Sequence, residues 1–151
     1  MHLAVFILAL LNRPFDFRAA GNPALMGILR DLGVRGANKT DNMEVASFIT
    51  RNADGTLSCV RWPHTASIRA AHYQGAIPPG TVAVAHTHPQ QFEKPSSGDI
   101  EQAKRIGLPI YVISRWYLYV IDPSSGASIA LITQKNWMRS PQPAEVQAVR
   151  N

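Results

Sequence analysis

The sequence predicts an α+β domain: a mixed or antiparallel β-sheet flanked by helices. Three observations carry this. Short runs rich in β-branched and aromatic residues recur between clusters of turn-forming residues. Two segments carry helix start and stop signals. The long repeating βαβ alternation of a doubly wound fold is absent, and the expected order is helix, hairpin, strand, helix and three closing strands. A length of 151 residues suits one domain.

The elements follow in chain order. "LAVFILALL" (Leu3–Leu11) is nine apolar residues, too short to span a bilayer. No Lys or Arg precedes it, as one would in a secretory leader, so residues 1–21 are expected to pack on the domain, with a signal segment as the alternative. "AGNPALMGILRDLGVRG" reads as a helix with Asn22 as cap and Pro23 in the first turn. Leu25, Ile28, Leu29 and Leu32 make its apolar face, and Gly33 is placed to end it. Two β-rich runs, about 45–51 and 56–62, flank the turn residues "NADG" and predict a hairpin. Residues 63–80 are irregular, and "TVAVAH" (Thr81–His86) is a buried strand. "SSGDIEQAKRIGLP" is a second helix, with Ser at its start and Gly107 just past its end. "IYVIS", "YLYVID" and "ASIALIT" are the closing strands, and residues 134–151 read as a loosely held C-terminal extension. The domain itself is placed at 22–133.

Composition narrows the classes of function. With 46% apolar residues the chain can build a real core without staples. Cys59 is the single cysteine, which excludes an internal disulfide and any cysteine-based zinc cluster. It alternates with apolar strand positions and reads as a small buried hydrophobe. One cysteine also fits a reducing, cytoplasmic setting. The net charge is +5, but the basic residues are scattered without forming a stripe, so a solvated surface is expected and a nucleic-acid partner is not. No membrane partner is expected either.

The chemistry concentrates in "VAVAHTHPQQFEKPSSGD". On a strand, residues i and i+2 face the same side, so His86 and His88 can project together from the end of "TVAVAH". Taken alone, a His-x-His is more readily a pair of ordinary strand-end histidines. Taken with a third ligand it can hold zinc, and Asp99, at the start of the next helix, is the natural candidate. Two histidines, one carboxylate and a water would make an open tetrahedral site that generates hydroxide near neutral pH. The hydroxide would need a carboxylate beside the metal as base. Glu44 is the best upstream residue, and Glu93, in the loop between the ligands, competes. Ser96 and Asp99 also form a plain helix capping box, which need not exclude a metal role. His64 and His72 read as surface-loop residues, and Trp116, Tyr117 and Tyr119 as core and sheet-face packing.

"HTHPQQFEKPSSGD" resembles the signature of the JAMM metalloproteases, the MPN-plus domain: His-x-His, seven residues, Ser, two residues, Asp. Pro89 and Pro95 match as well, and Glu44 lies 42 residues before His86, where such domains carry a glutamate. "NADGTLSCV" and "GLPIYVIS" further resemble bacterial members. The resemblance spans roughly 22–133 and implies a cytidine-deaminase-like architecture with one Zn2+ per chain. It implies that His86, His88 and Asp99 are the zinc ligands, that Glu44 is the general base, and that Ser96 hydrogen-bonds the water or steadies the oxyanion. It implies hydrolysis of an amide or isopeptide bond near the C-terminal tail of a protein or peptide substrate, often ubiquitin-like. A non-catalytic MPN-type scaffold and a peptidoglycan, toxin or phage peptidase are the alternatives. One departure stands out: members usually carry Glu-x-x-Gly, whereas this chain has Ser47 in place of the glycine.

Overall fold

Asn22 starts the first helix as the sequence predicts: its side-chain oxygen accepts from the Leu25 backbone N–H at 3.2 Å. In a computed structural model of the chain, residues 14–18, 20–37, 44–62, 75–88, 94–134 and 137–138 are described. The helix, α1, runs Pro23–Ala37 and buries Leu25, Met26, Leu29 and Leu32. It passes through Gly33 and does not end there. A Cβ on Gly33 would lie 2.2 Å from Met138 Sδ and 2.9 Å from Ile113 Cγ2, so this glycine serves close packing, not termination.

The strands are β1 (Ala46–Arg51), β2 (Leu57–Arg61), β3 (Thr81–Thr87), β4 (Ile110–Ile113), β5 (Leu118–Ile121) and β6 (Ser128–Ile132). The second helix, α2, is Ser97–Ile106. They form a six-stranded mixed sheet in the order β2-β1-β3-β4-β5-β6. Only β3 and β4 pair in parallel; all the other neighbours are antiparallel. Gly55, at φ 87, sits in the β1–β2 turn, and the Asn52 N–H bonds the Thr56 carbonyl at 2.8 Å to close the hairpin.

The core is divided by the sheet. Ile49, Ala83, Ala85, Tyr111, Ile113, Leu118 and Val120 pack with the apolar stripe of α1. Their alternates Phe48, Val84, Ile110, Val112 and Ile121 pack with Ala103 of α2 and, beside it, Ile100 and Ile106. Period-2 alternation thus feeds one helix on each face, and all four residues of β4 are buried, as expected where both faces are covered.

Three expectations need correction or completion. Cys59 is exposed, not buried: β2 is an edge strand, and its residues beyond Leu57 are all exposed. The C-terminal extension is not loose at its start. Trp137 is only 3% exposed, its indole N–H donates to the Ser114 carbonyl at 3.1 Å, and Met138 packs against the same cluster. At the N-terminus, Phe15 and Phe17 pack on the core, the Tyr111 hydroxyl donates to the Phe17 carbonyl at 2.7 Å, and Arg18 pairs with Asp122 at 2.8 Å. The run Leu3–Leu11 lies outside the described residues. No helix among the described residues is long and apolar enough to cross a membrane.

Replacing Trp137 by Ala should empty a filled core site and leave a buried carbonyl without its donor. The expected loss is about 3–5 kcal/mol in urea unfolding. A loss below about 1 kcal/mol would place Trp137 outside the cooperative core.

Candidate metal centre

β3 delivers its histidines at the carboxyl end of the sheet's one parallel strand pair. His86 stands opposite Ala46 of β1 and level with Val112 of β4. His88 lies just past the strand, yet its backbone N–H still donates to the Ile113 carbonyl at 2.9 Å, so the chain has not left the sheet. Both imidazoles lie on the face covered by α2, with ring centroids 5.0 Å apart. Their side chains are only 12% and 9% exposed.

The start of α2 brings the third group. Ser96 caps the helix in extended conformation, its hydroxyl oxygen accepting from the Asp99 N–H at 3.2 Å. Asp99 answers: its Oδ2 accepts from the Ser96 backbone N–H and from the Ser96 hydroxyl, each at 2.7 Å. At the far end Gly107, at φ 68, closes the helix with a bond from its N–H to the Ala103 carbonyl. Held at both ends and packed through Ile100, Ala103 and Ile106, α2 fixes where its first turn meets β3.

The outcome is a triangle. His86 Nε2 and His88 Nε2 are 3.1 Å apart. His86 Nε2 lies 3.1 Å from Asp99 Oδ1, and His88 Nε2 lies 3.4 Å from Asp99 Oδ2. Ligands about 2.05 Å from a tetrahedral zinc ion are separated by about 3.3 Å along each edge of the tetrahedron. The His–His spacing and the His86–Oδ1 spacing match that edge, and His88 meets the same carboxylate through its other oxygen, Oδ2. The residue types also fit: two imidazoles and a carboxylate suit zinc, with a fourth corner left for solvent. Among the described residues these are the histidine, cysteine and acidic side chains whose ligand atoms come together, all within 4.8 Å of one another.

Asp99 is prepared as an anion. Burial alone would push its carboxyl up. Hydrogen bonds from His86 and His88, the charge of His86 and the Ser96 N–H overcome this and hold it well below the usual carboxylate range. Its two oxygens divide the work. Oδ2 is anchored by Ser96 at the helix start and faces His88, while Oδ1 faces His86, an orientation of the kind that outer hydrogen bonds impose on metal ligands.

Glu44 precedes β1 and does not belong to the triangle. The register that sets Ala46 opposite His86, continued by the bond from the Thr87 N–H to the Val45 carbonyl, brings Glu44 level with His88. Strand alternation assigns it to the face of Ala46 and the histidines. Ser47 is on the opposite face, paired with Ala85 and only 1% exposed, so the departure from glycine there does not touch the ligand set. Glu93, Pro89, His64 and His72 lie outside the described residues. Trp116 is 40% exposed and belongs to the Ser114–Tyr117 turn, closed by the Ser114 N–H to the Tyr117 carbonyl at 2.9 Å. A cavity of about 590 Å³ lies at the opposite end of β3, lined by Phe15, Phe17, Arg51 and Thr81 among others, and takes no part in the cluster.

Comparison with known proteins gives little. No family model matches the chain, and no curated protein matches it. It is similar to a protein from Salinibacter ruber known from its solution structure. The two are 18% identical over 76% of this chain and 92% of that one, with a TM-score of 0.43.

Ser96→Ala removes the hydroxyl, and with it the bond accepted from the Asp99 N–H and the one donated to Oδ2, while the Ser96 backbone N–H still reaches Oδ2. Unfolding should lose about 1 kcal/mol. An unchanged midpoint would mean that the cap is not formed in solution.

Proposed function

We propose that this chain is a zinc-dependent hydrolase of amide or isopeptide bonds with a JAMM-type architecture. The observation that carries the reading is the triangle of His86, His88 and Asp99 at the spacing of a tetrahedral zinc site. It is supported by Glu44, which lies level with His88 yet outside the ligand set, where a base has to be. Zinc in this site would supply a Lewis acid that lowers the pKa of a bound water towards neutrality.

The residues of the chain do the rest. His86 and His88 would present Nε2 lone pairs, and Asp99 its carboxylate, whose Oδ2 Ser96 steadies. Glu44 takes the proton from the attacking water and returns it to the leaving amine. Ser96 acts first as the anchor of Asp99. To donate to a developing oxyanion its hydroxyl must release the bond to Oδ2, so that second role belongs to the reacting complex. The substrate class, a protein or peptide tail with a ubiquitin-like protein as the leading example, rests on the sequence signature. An extended tail beside the sheet would be recognised mainly through its backbone.

The test pairs metal with chemistry. Purified protein loaded with zinc should hold one ion per chain, and His88→Ala should abolish stoichiometric binding. Glu44→Gln should keep the zinc and lower cleavage of ubiquitin-like fusions or peptide libraries by on the order of 10²–10⁴-fold. Zinc retained with no Glu44-dependent cleavage across a broad panel would leave the non-catalytic MPN-type scaffold. The pH dependence has a fixed sign. Both imidazoles must shed protons to ligate, while Asp99 is already ionised. Zinc affinity should therefore fall with acid, by up to about 100-fold per pH unit where both imidazoles are protonated. A competitive chelator titration measures this, and affinity independent of pH would exclude the two histidines as ligands.

A further inference from the structure

Thr87 stands between the two histidines and points the other way. It is 3% exposed, on the face covered by α1, against Gly36 near the end of that helix. A Cβ on Gly36 would lie 2.8 Å from Thr87 Oγ1, 2.9 Å from Thr87 Cγ2 and 3.0 Å from Val45 Cγ2, so the helix backbone presses on both residues at once. Thr87 also ends the β1–β3 ladder in an unusual way. Its backbone N–H donates to the Val45 carbonyl at 2.9 Å, as a ladder requires. The return bond does not go to the backbone: the Val45 N–H donates to Thr87 Oγ1 at 3.0 Å. A side chain thus completes the pair at the residue next to Glu44.

We propose that Thr87 is a positioning residue, whose hydroxyl, clamped by Gly36 from the far side of the sheet, fixes the Glu44–Val45 segment level with His86 and His88. The inference rests on the reading of Glu44 as the base. Glu44 precedes the first β1 residue, and the Val45 bonds to Thr87 are the β1–β3 ties next to it in the chain. Because Thr87 is also the residue that links the two histidines, one side chain ties the base to the metal ligands. A misplacement of about 1 Å between such groups costs on the order of 10²-fold in rate.

Thr87→Val and Thr87→Ser, with Gly36→Ala beside them, separate this from simple packing. Thr87→Val keeps the shape and loses the acceptor. It is expected to retain one zinc per chain and the KM, to lower kcat by about 10–100-fold, and to speed hydrogen exchange of the Val45 amide at least as much. Thr87→Ser restores the oxygen and should recover both kcat and protection. Gly36→Ala, which leaves the hydroxyl in place but crowds it, should show the same two changes in weaker form. Wild-type kcat and Val45 protection in Thr87→Val would overturn the proposal, and so would a Thr87→Ser as defective as Thr87→Val. Failure of the hydrolase reading appears elsewhere, as wild-type protein that binds no zinc. The Val45 exchange rates, which need neither metal nor substrate, still decide whether Thr87 holds the segment.

Discussion

The parallel pairing of β3 with β4 is the constraint on which the site depends. Two strands side by side in the same direction cannot be joined by a tight turn; the chain must travel back along the sheet, and α2 is that return. A helix packed on the sheet in this way starts near the carboxyl end of the strand it follows. Its first turn therefore meets the end of β3, where His86 and His88 project. Crevices at the carboxyl ends of parallel strands are where open sheets of this kind bind ligands. Here three side chains, His86, His88 and Asp99, converge at that end.

The capping box and the candidate metal centre share one carboxylate, and each role would help the other. A free aspartate would lose side-chain entropy on binding an ion. Asp99 has lost it already, because two bonds from Ser96 hold Oδ2 and thereby aim Oδ1. The histidines are similarly fixed, one within β3 and one by its backbone bond to Ile113. The cluster is thus organised before any ion arrives, which favours affinity by lowering the ordering cost of binding. The same closeness sets a limit: two imidazole nitrogens at 3.1 Å repel when both carry protons, so acid works against the arrangement that a cation stabilises.

How much of this was legible in the sequence can be followed residue by residue. Local rules located the elements well: Asn22 and Ser96 as caps, Gly107 as a left-handed stop, and the alternation of β1, β3, β4 and β5. His86, His88 and Asp99 were legible because their grouping depends on one strand end, one loop and one helix start, all within fourteen consecutive residues. What failed depended on distant partners. Gly33 has the chemistry of a helix stop, but Ile113 and Met138 decide its use by packing against it. Cys59 sits in an apolar alternation, and only the strand order places it on an uncovered edge. Trp137 lies among polar residues and prolines, and only the Ser114 carbonyl and the apolar cluster it joins with α1 explain its burial. Thr87 gave no local signal, since its importance lies in a bond to a residue 42 positions earlier.

The most direct test of this account is X-ray absorption at the zinc edge on protein loaded with one equivalent of zinc. The expected first shell is two imidazole nitrogens at about 2.0–2.1 Å and two oxygens at about 2.0–2.2 Å, with the outer-shell scattering of two histidine rings, one of which disappears in His88→Ala. A shell of oxygens alone, a sulfur at about 2.3 Å, or a spectrum unaltered by that substitution would contradict a centre built from His86, His88 and Asp99.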